Sequence, residues 1–575
     1  MSGTKRAAAT ARADAAAKPW LGSYPSGVPA EIDTARIGTL VDLFRQSGER
    51  YRDRPALESF GKQLTYADLS EAADAVAAWL QAKGFGKGDR VAIMLPNVLA
   101  YPAILFGTLI AGGTVVNVNP LYTARELSHQ LEDAGARVLF VGENFGHTVE
   151  KALPRLKLDA IVVVTPGDLM GLKGTVVNLV SRRVKKAVQP FHLPEAETFG
   201  SVLAIGRKSP PNPVAIATDD IAFLQYTGGT TGIAKGAVLL HRNVVANVAQ
   251  IEAWMRPFIG TEAQHVIATA MPLYHIFALT GCCLFACRIG ACQILIANPH
   301  DLSGLVKTLK ARPATGLLLV NTLYNALANH SQIGTVDLSK LAFCIAGGMA
   351  TQAAVAKRWK ALTGKPIIEG YGLSETSPVV CMNRPDLEEF SGTIGYPLPS
   401  TDVSIRSGDG RALPPGEAGE LCVKGPQVMA GYWNRADETA RAMTPDGYFR
   451  TGDVVVLRSD GEVKLVDRMK DLIIVSGFNV YPNEVEAVLA SHPGVLEVAV
   501  IGVPDAHAGE VAGAYIVPKD PNLTVQDIRA YCRENLTGYK IPRRVEFRDS
   551  LPKTSVGKVL RRALRDEVLG ALEKP

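Results

Sequence analysis

No Cys-x-x-Cys pair occurs among the eight cysteines, although Cys282, Cys283, Cys287 and Cys292 crowd one apolar stretch. Without metal-ligand spacing, and with Leu, Phe, Ile and Ala as neighbours, they read as buried reduced thiols of a cytosolic protein rather than zinc ligands or disulfides. Net charge is equally scarce. The formal value is +5, and Lys5, Arg6, Arg12 and Lys18 against Asp14 supply +3 of it at the start of the chain. The +2 left for everything else excludes a dedicated nucleic-acid binder. The Ala-rich start has no uninterrupted apolar core, because Arg12 and Asp14 break it. It makes a poor secretory signal, and residues 1–30 read as a disordered basic tail in preference to an organellar transit peptide. Long hydrophobic runs are few. The best, Ile276 to Ile296, is interrupted by Arg288, Gln293 and two glycines, so it predicts a helix followed by the buried strand Cys292–Ile296, not a membrane span. No internal repeat is visible.

What the chain does have is length and alternation. At 575 residues, 47% apolar and 20% charged, it is ordinary globular protein too long for one core. Buried strands at Arg90–Leu95, Thr114–Val118 and Arg137–Val141 alternate with helices at Ala103–Ala111 and from Thr123 to Glu132. This predicts an α/β fold whose large N-terminal domain, residues 31–466, has layered, mostly parallel sheets. From about Thr393 to Val466, short strands between Pro/Gly/Asp turns predict a small antiparallel subdomain. Residues 472–575 form a smaller mobile α/β domain, joined through residues 467–471. Within it Asn483 is expected to cap a helix running to Leu489, with Glu484 and Glu486 in the first turn.

The densest chemical signal is Tyr226-Thr-Gly-Gly-Thr-Thr-Gly-Ile-Ala-Lys-Gly236, directly after the apolar Ile221–Leu224. Such a loop turns tightly and presents backbone N–H groups, hydroxyls and one ammonium to a polyphosphate. It is not the common P-loop, because Lys235 is followed by glycine and not by Ser or Thr. Downstream lie Met271-Pro-Leu-Tyr-His-Ile-Phe277, Ala346-Gly-Gly-Met349, Glu369-Gly-Tyr-Gly-Leu-Ser-Glu-Thr376, Tyr448-Phe-Arg-Thr-Gly-Asp453 and Val466-Asp-Arg-Met-Lys-Asp471. Ser476-Gly-Phe-Asn-Val-Tyr-Pro-Asn-Glu484 and Leu551-Pro-Lys-Thr-Ser-Val-Gly-Lys558 follow.

In this order and spacing the islands resemble the adenylate-forming superfamily of acyl-CoA synthetases, luciferases and peptide-synthetase adenylation domains. Within it they look most like bacterial long-chain fatty-acid–CoA ligases. The resemblance implies ATP and CoA as co-substrates, a fatty acid as acceptor, and Mg²⁺. It implies that Thr227, Gly228, Gly229, Thr230, Thr231, Gly232 and Lys235 hold the β- and γ-phosphates. Glu375 would bind the metal and Thr376 stand near the α-phosphate. Tyr371 would lie against adenine, with Gly347, Glu369, Gly370 and Gly372 around it. Asp453 would take the ribose hydroxyls beside Arg468, and Lys558 would bridge the substrate carboxylate and α-phosphate. His275 would gate the acyl channel, Lys470 serve as hinge, and Ser476, Gly477 and Phe478 face CoA. Gly229 and Ala234 stand where many relatives have Ser and Pro, and Ser476 where some have a lysine. An aryl- or hydroxycinnamate–CoA ligase, or a non-catalytic lipid-binding adaptor, are the competing readings.

One segment is left over. Along 168–190, drawn as a helix, Val177, Val180, Val184 and Val188 share one face while Arg182, Lys185 and Lys186 crowd the other. That pattern suits peripheral contact with an anionic membrane from the cytoplasmic side, as well as a helix docked on its own protein. A homodimer is the other assembly considered.

Overall fold

The structure, a computed structural model, describes residues 18–227, 234–260, 264–476, 478–505, 507–554 and 557–572. Short apolar strands assemble two large sheets. In the first, Arg90–Met94, Thr114–Asn117, Val138–Gly142, Ala160–Val164 and Glu197–Thr198 run parallel with Ile221–Thr227, while Lys235–Leu240 and Gly431–Tyr432 close one edge antiparallel. In the second, Pro55–Ser59, Cys292–Leu295, Val266–Thr269, Gly316–Leu319, Phe343–Ala346 and Ile368–Gly372 are parallel. Antiparallel strands flank it at both edges. Strands such as Cys292–Leu295 and Phe343–Ala346 are buried at every residue, as parallel strands covered on both faces must be.

On the first sheet, against Arg90–Met94 and Thr114–Asn117, lies helix Ala100–Ile110, which helices Tyr66–Ala82 and Leu40–Arg50 cover so that it has no exposed face. Its Phe106 stacks on Phe44, ring centres 3.9 Å apart, so Phe44→Ala would cost about 3–5 kcal/mol. Surface helices start at capping boxes, Thr39–Asp42, Thr65–Asp68 and Thr123–Glu126, in which the Ser/Thr-x-x-acid pattern satisfies the first-turn donors. A buried polar tie joins the sheets: Asn97 Nδ2 donates to the carbonyls of Thr269 and Met271 at 2.8 and 3.0 Å, and Leu273 N–H returns a bond to Asn97 Oδ1.

After the parallel sheets, Asp402–Arg406, Ala418–Lys424, Phe449–Leu457 and Val463–Arg468 form the antiparallel layer. Beyond residue 472 a five-stranded sheet packs on its own hydrophobic cluster, from Ile473 to Val568. Ile276–Ile289 is helical with a π-helical stretch at Leu279–Leu284, followed by strand Cys292–Leu295. Among the described residues no helix is long and apolar enough to cross a membrane. All eight cysteines are free and buried. Burial pushes the Cys282, Cys287 and Cys344 thiols up to about 12, which leaves them inert packing groups.

Three expectations need correction. Residues 18–30 are not a disordered tail: Trp20 is 1% exposed in the core of the antiparallel layer, Ser23 Oγ bonds Asp460 O, and Tyr24 OH bonds Pro397 O. A buried indole fixes a segment whose first residues suggest disorder; residues 1–17 lie outside the described residues. Asn483 is not the cap of its helix, which begins at Pro482. Its N–H is instead taken by the Asp467 carboxylate at 2.8 Å, so the cap comes from across the junction. The segment 168–190 is a helix only over Leu172–Leu179, continued by a π-turn at Val180–Val184. Its inner face is set by Gly174, pressed against Gly167, and by Asn178, bonded to Thr165 and Gly167. Val177 therefore packs inward, and the outward apolar set is Leu172, Val176, Leu179, Val180 and Val184.

A buried imidazole makes the fold acid-sensitive. His241 is 2% exposed and its Nδ1 accepts the Leu40 N–H at 3.2 Å, which requires the neutral ring. Burial draws its pKa down to about 4. The stability it supports is complete above its ordinary value of about 6.5 and is lost as pH falls from there through 4, a swing of roughly 3 kcal/mol. In His241→Asn, which does not titrate, chemical denaturation should show a correspondingly flatter loss of stability between pH 6.5 and 4. An unchanged slope would contradict this.

Candidate active site

The candidate site lies where the parallel strands of both sheets end, the usual place for a ligand in such sheets. Strand Ile221–Thr227 returns as Lys235–Leu240, with Thr227 opposite Lys235. The expected phosphate residues Gly228, Gly229, Thr230, Thr231 and Gly232 lie outside the described residues. Lys235 is not alone at the hairpin's end. Strand Gly431–Tyr432 adds to Lys235–Leu240 with Tyr432 opposite Ala237, and the Lys235 ammonium stands 5.3 Å from the centre of the Tyr432 ring. The same ammonium pairs with Glu438. Tyr432 OH donates to Glu375 Oε1 at 2.8 Å. Burial lowers the Lys235 pKa, with Arg441 adding repulsion, and raises that of Glu375, which the Tyr432 bond opposes.

Tyr371 and Glu375 follow one another off strand Ile368–Gly372. Gly347 meets this strand so closely that a Cβ there would lie 3.2 Å from Gly370 O and 3.3 Å from the Phe277 ring. A Cβ on Gly372 would come within 1.9 Å of Pro378 O, so only glycine fits. A Cβ on Gly370 would meet nothing nearer than 3.7 Å, and no packing within the protein demands glycine there. Glu369 accepts the Thr351 N–H at 3.0 Å and is raised by burial to about 7; its carboxyl holds the loop after Phe343–Ala346. Thr376, expected near the α-phosphate, is wholly buried, and its hydroxyl donates to the carbonyls of Leu373 and Pro378. It shapes the turn that presents Glu375.

The antiparallel layer brings Asp453, 2% exposed, against this wall. Tyr371 OH donates to Asp453 Oδ2 at 2.6 Å, and Arg468, its cross-strand partner, pairs with Oδ1 at 3.0 Å. Lys558 approaches the same group from the C-terminal body, held by Thr322 Oγ1, which donates to Gly557 O at 3.1 Å. Burial, then Arg468, press the Lys558 pKa down to about 7, while Asp453 works to raise it. His275 lies within reach of the Lys558 charge. Its Nδ1 accepts the Phe277 N–H at 3.3 Å, and burial first, then Lys558, lower it to about 4, so it is neutral with the proton on Nε2. Lys470 lies in the short turn Met469–Asp471 between the bodies. The Ser476–Phe478 turn is not gathered with these groups. Ser476 N–H bonds Ala508 O, Phe478 is 57% exposed and stacks on Tyr539, and Gly477 is outside the described residues.

Several positioning groups carry no motif. Tyr432 and Glu438 reach Lys235 only through strand addition, and Thr322 meets Gly557 only through docking of the two bodies. Gln225, immediately before the Thr/Gly island, had no assigned role; its Nε2 donates to Tyr274 O at 2.9 Å and its Oε1 accepts Asn117 Nδ2. Tyr101 OH completes the network on Asn117 and Leu273 O, fixing the loop that carries His275.

This arrangement, in which a second body brings a lysine to a buried Tyr–Asp–Arg group beside closely packed glycines, agrees with the sequence comparisons. The chain belongs to the AMP-binding enzyme family, matching it over residues 44–433, with the AMP-binding enzyme C-terminal domain matched over 484–558. It is 49% identical to a long-chain-fatty-acid–CoA ligase of Escherichia coli O6:H1, over 97% of this chain and 99% of that one. A Haemophilus influenzae protein of the same name is 46% identical, over 97% and 100%. Among solved structures, an anthranilate CoA ligase in complex with anthranoyl-AMP superposes with a TM-score of 0.83 at 25% identity, covering 94% of this chain and 100% of that one.

The lowered Lys558 pKa has a direct readout. A small amine reagent such as cyanate, pulsed across a pH series and read by mass spectrometry, should reach half-maximal labelling of Lys558 near pH 7. Ordinary lysines should follow their usual value of about 10.4. A Lys558 profile superimposed on theirs would contradict its burial beside Arg468.

Proposed function

We propose that the protein joins a medium- to long-chain fatty acid to coenzyme A, using ATP, through an acyl-adenylate and with release of AMP and pyrophosphate. The observation that carries this reading is the approach of Lys558 to Asp453, Arg468 and His275. Near-full-length similarity to long-chain-fatty-acid–CoA ligases supports the choice of acid. A carboxylate attacking the α-phosphate is already ionised at neutral pH, so no general base is required. Shielding of like charge is what the reaction needs. Lys558 bridges acid and α-phosphate, Lys235 takes the terminal phosphates, and the Tyr371–Asp453–Arg468 group receives adenine and ribose. Glu375 would hold a Mg²⁺ ion together with the substrate phosphates, and the ion would supply positive charge against them. Rotation about Lys470 then replaces Lys558 by the Ser476–Phe478 turn, so that two half-reactions use one pocket.

The buried free cysteines suit a reducing, cytoplasmic setting. The outward set Leu172, Val176, Leu179, Val180 and Val184, with Lys173, Arg183 and Lys186 exposed beside it, suits an anionic bilayer surface. Arg182 is not part of this face, being paired with Glu143 at 2.7 Å.

Acid-dependent ATP–pyrophosphate exchange across acetate, octanoate, palmitate, oleate and 4-coumarate, followed by addition of CoA, tests the function. Exchange with the long acyl chains and formation of their CoA thioesters is expected. Exchange with 4-coumarate alone would move the substrate to the aryl acids, and no exchange in folded protein would favour the lipid-binding adaptor. For the surface, Leu172→Ser/Val176→Ser should weaken binding to vesicles containing phosphatidylserine several-fold. Equal binding of the unaltered protein to neutral and anionic vesicles would exclude an electrostatic contribution.

A further inference from the structure

The contact between Lys235 and Glu438 is built into the fold. The pair is largely shielded, with side-chain exposures of 17% and 25%. The strand bearing Tyr432 is clamped to the first sheet's helix Ala124–Ala134: Trp433 Nε1 donates to Asp133 O at 3.0 Å, and Arg435 Nη2 to Asp133 Oδ1 at 2.8 Å. Tyr226, from the hairpin itself, donates to the other oxygen of Asp133 at 2.6 Å. Thr439 locks the following turn, accepting Tyr432 N–H at 2.8 Å and donating to Arg435 O at 2.9 Å. Glu438 is thereby set beside the hairpin by contacts on both sides of it in the chain.

Glu438 is not what holds Lys235 in place. The lysine's backbone is fixed in the strand pairing with Thr227, and its ammonium rests over the Tyr432 ring. The carboxylate contributes charge instead. Any phosphate that approaches Lys235 meets an anion already bound to the same ammonium, and like charges sharing one cation weaken each other's hold. Arg441, three residues on along helix Ala436–Ala442, is close enough to bear on Lys235 and adds a second positive charge beside the pair.

We propose that Glu438 is an internal competitor for the terminal phosphates: it shares Lys235 with them, loosens the binding of ATP and pyrophosphate, and speeds the departure of pyrophosphate. This rests on the reading of Lys235 as the ligand of those phosphates. Glu438 is a positioning residue in that scheme, acting on the substrate only through the lysine. Weaker binding of both the substrate and the leaving group raises KM for ATP and relieves product inhibition, a loss of uniform binding that need not slow the chemical step.

Calorimetric binding of inorganic pyrophosphate and of ATP to the full chain, together with steady-state kinetics, tests this in three variants. Glu438→Gln, which keeps the shape and removes the charge, should bind both about three- to tenfold more tightly, with KM for ATP and the inhibition constant for pyrophosphate falling by the same factor. Glu438→Asp, which keeps the charge, should stay near the unaltered protein. Lys235→Ala should bind both ligands more weakly. If Lys235→Ala weakens binding but Glu438→Gln leaves it unchanged or weaker, the competitor role of Glu438 is wrong and the phosphate reading stands. If Lys235→Ala leaves binding unchanged, the phosphate reading itself fails.

Discussion

A buried carboxylate keeps its charge only where donors and cations surround it, and Asp453 imposes that condition on three parts of the chain at once. Tyr371 comes from the end of a parallel strand, Arg468 from the neighbouring antiparallel strand and Lys558 from the C-terminal body. The layered architecture is therefore more than a container for the site. The antiparallel layer must dock on the nine-stranded sheet to bring Asp453 to Tyr371, and the C-terminal body must dock on both to bring Lys558. In the proposed reaction a substrate carboxylate and an α-phosphate would bring negative charge to Arg468 and Lys558, the balance that adenylate formation requires.

The surroundings divide into what is held and what must let go. The Asn97–Tyr101–Asn117–Gln225 network is buried and internally bonded, and it fixes the loop before His275 as part of a rigid floor. The junction is held by polar contacts that cross it. Asp467 lends its carboxylate to the N–H of Asn483 across the turn, Arg561, three residues beyond Lys558, stands 3.8 Å from Asp467, and Asn325 Nδ2 donates to Leu496 O at 3.3 Å. These bonds, and Thr322 on Gly557, are local, so the proposed turning about Lys470 would exchange polar contacts and leave the C-terminal hydrophobic core intact.

Much of this was legible before any coordinates. Strand alternation gave the parallel sheets, the Pro/Gly/Asp turns gave the antiparallel layer, and the ordered islands named Lys235, Glu375, Asp453 and Lys558 as a group. The contacts that position them were not. Tyr432 and Glu438 are distant from Lys235 in sequence, and only the edge pairing of Gly431–Tyr432 unites them. Trp20 was hidden because a single indole, in a short polar context, leaves no periodicity. The face of the 172–184 helix was misread because Gly174 and Asn178, not the valines, decide which side packs. Asn483 has the right chemistry for a cap, yet a buried carboxylate outside its own helix took the position.

The division of labour between the two bodies is the central claim, and the two half-reactions measured separately in Lys558→Ala test it most directly. Pyrophosphate exchange should fall by orders of magnitude, while thioester formation from supplied palmitoyl-adenylate and CoA should remain near that of the unaltered protein. Equal loss of both steps would contradict a lysine that serves adenylation alone.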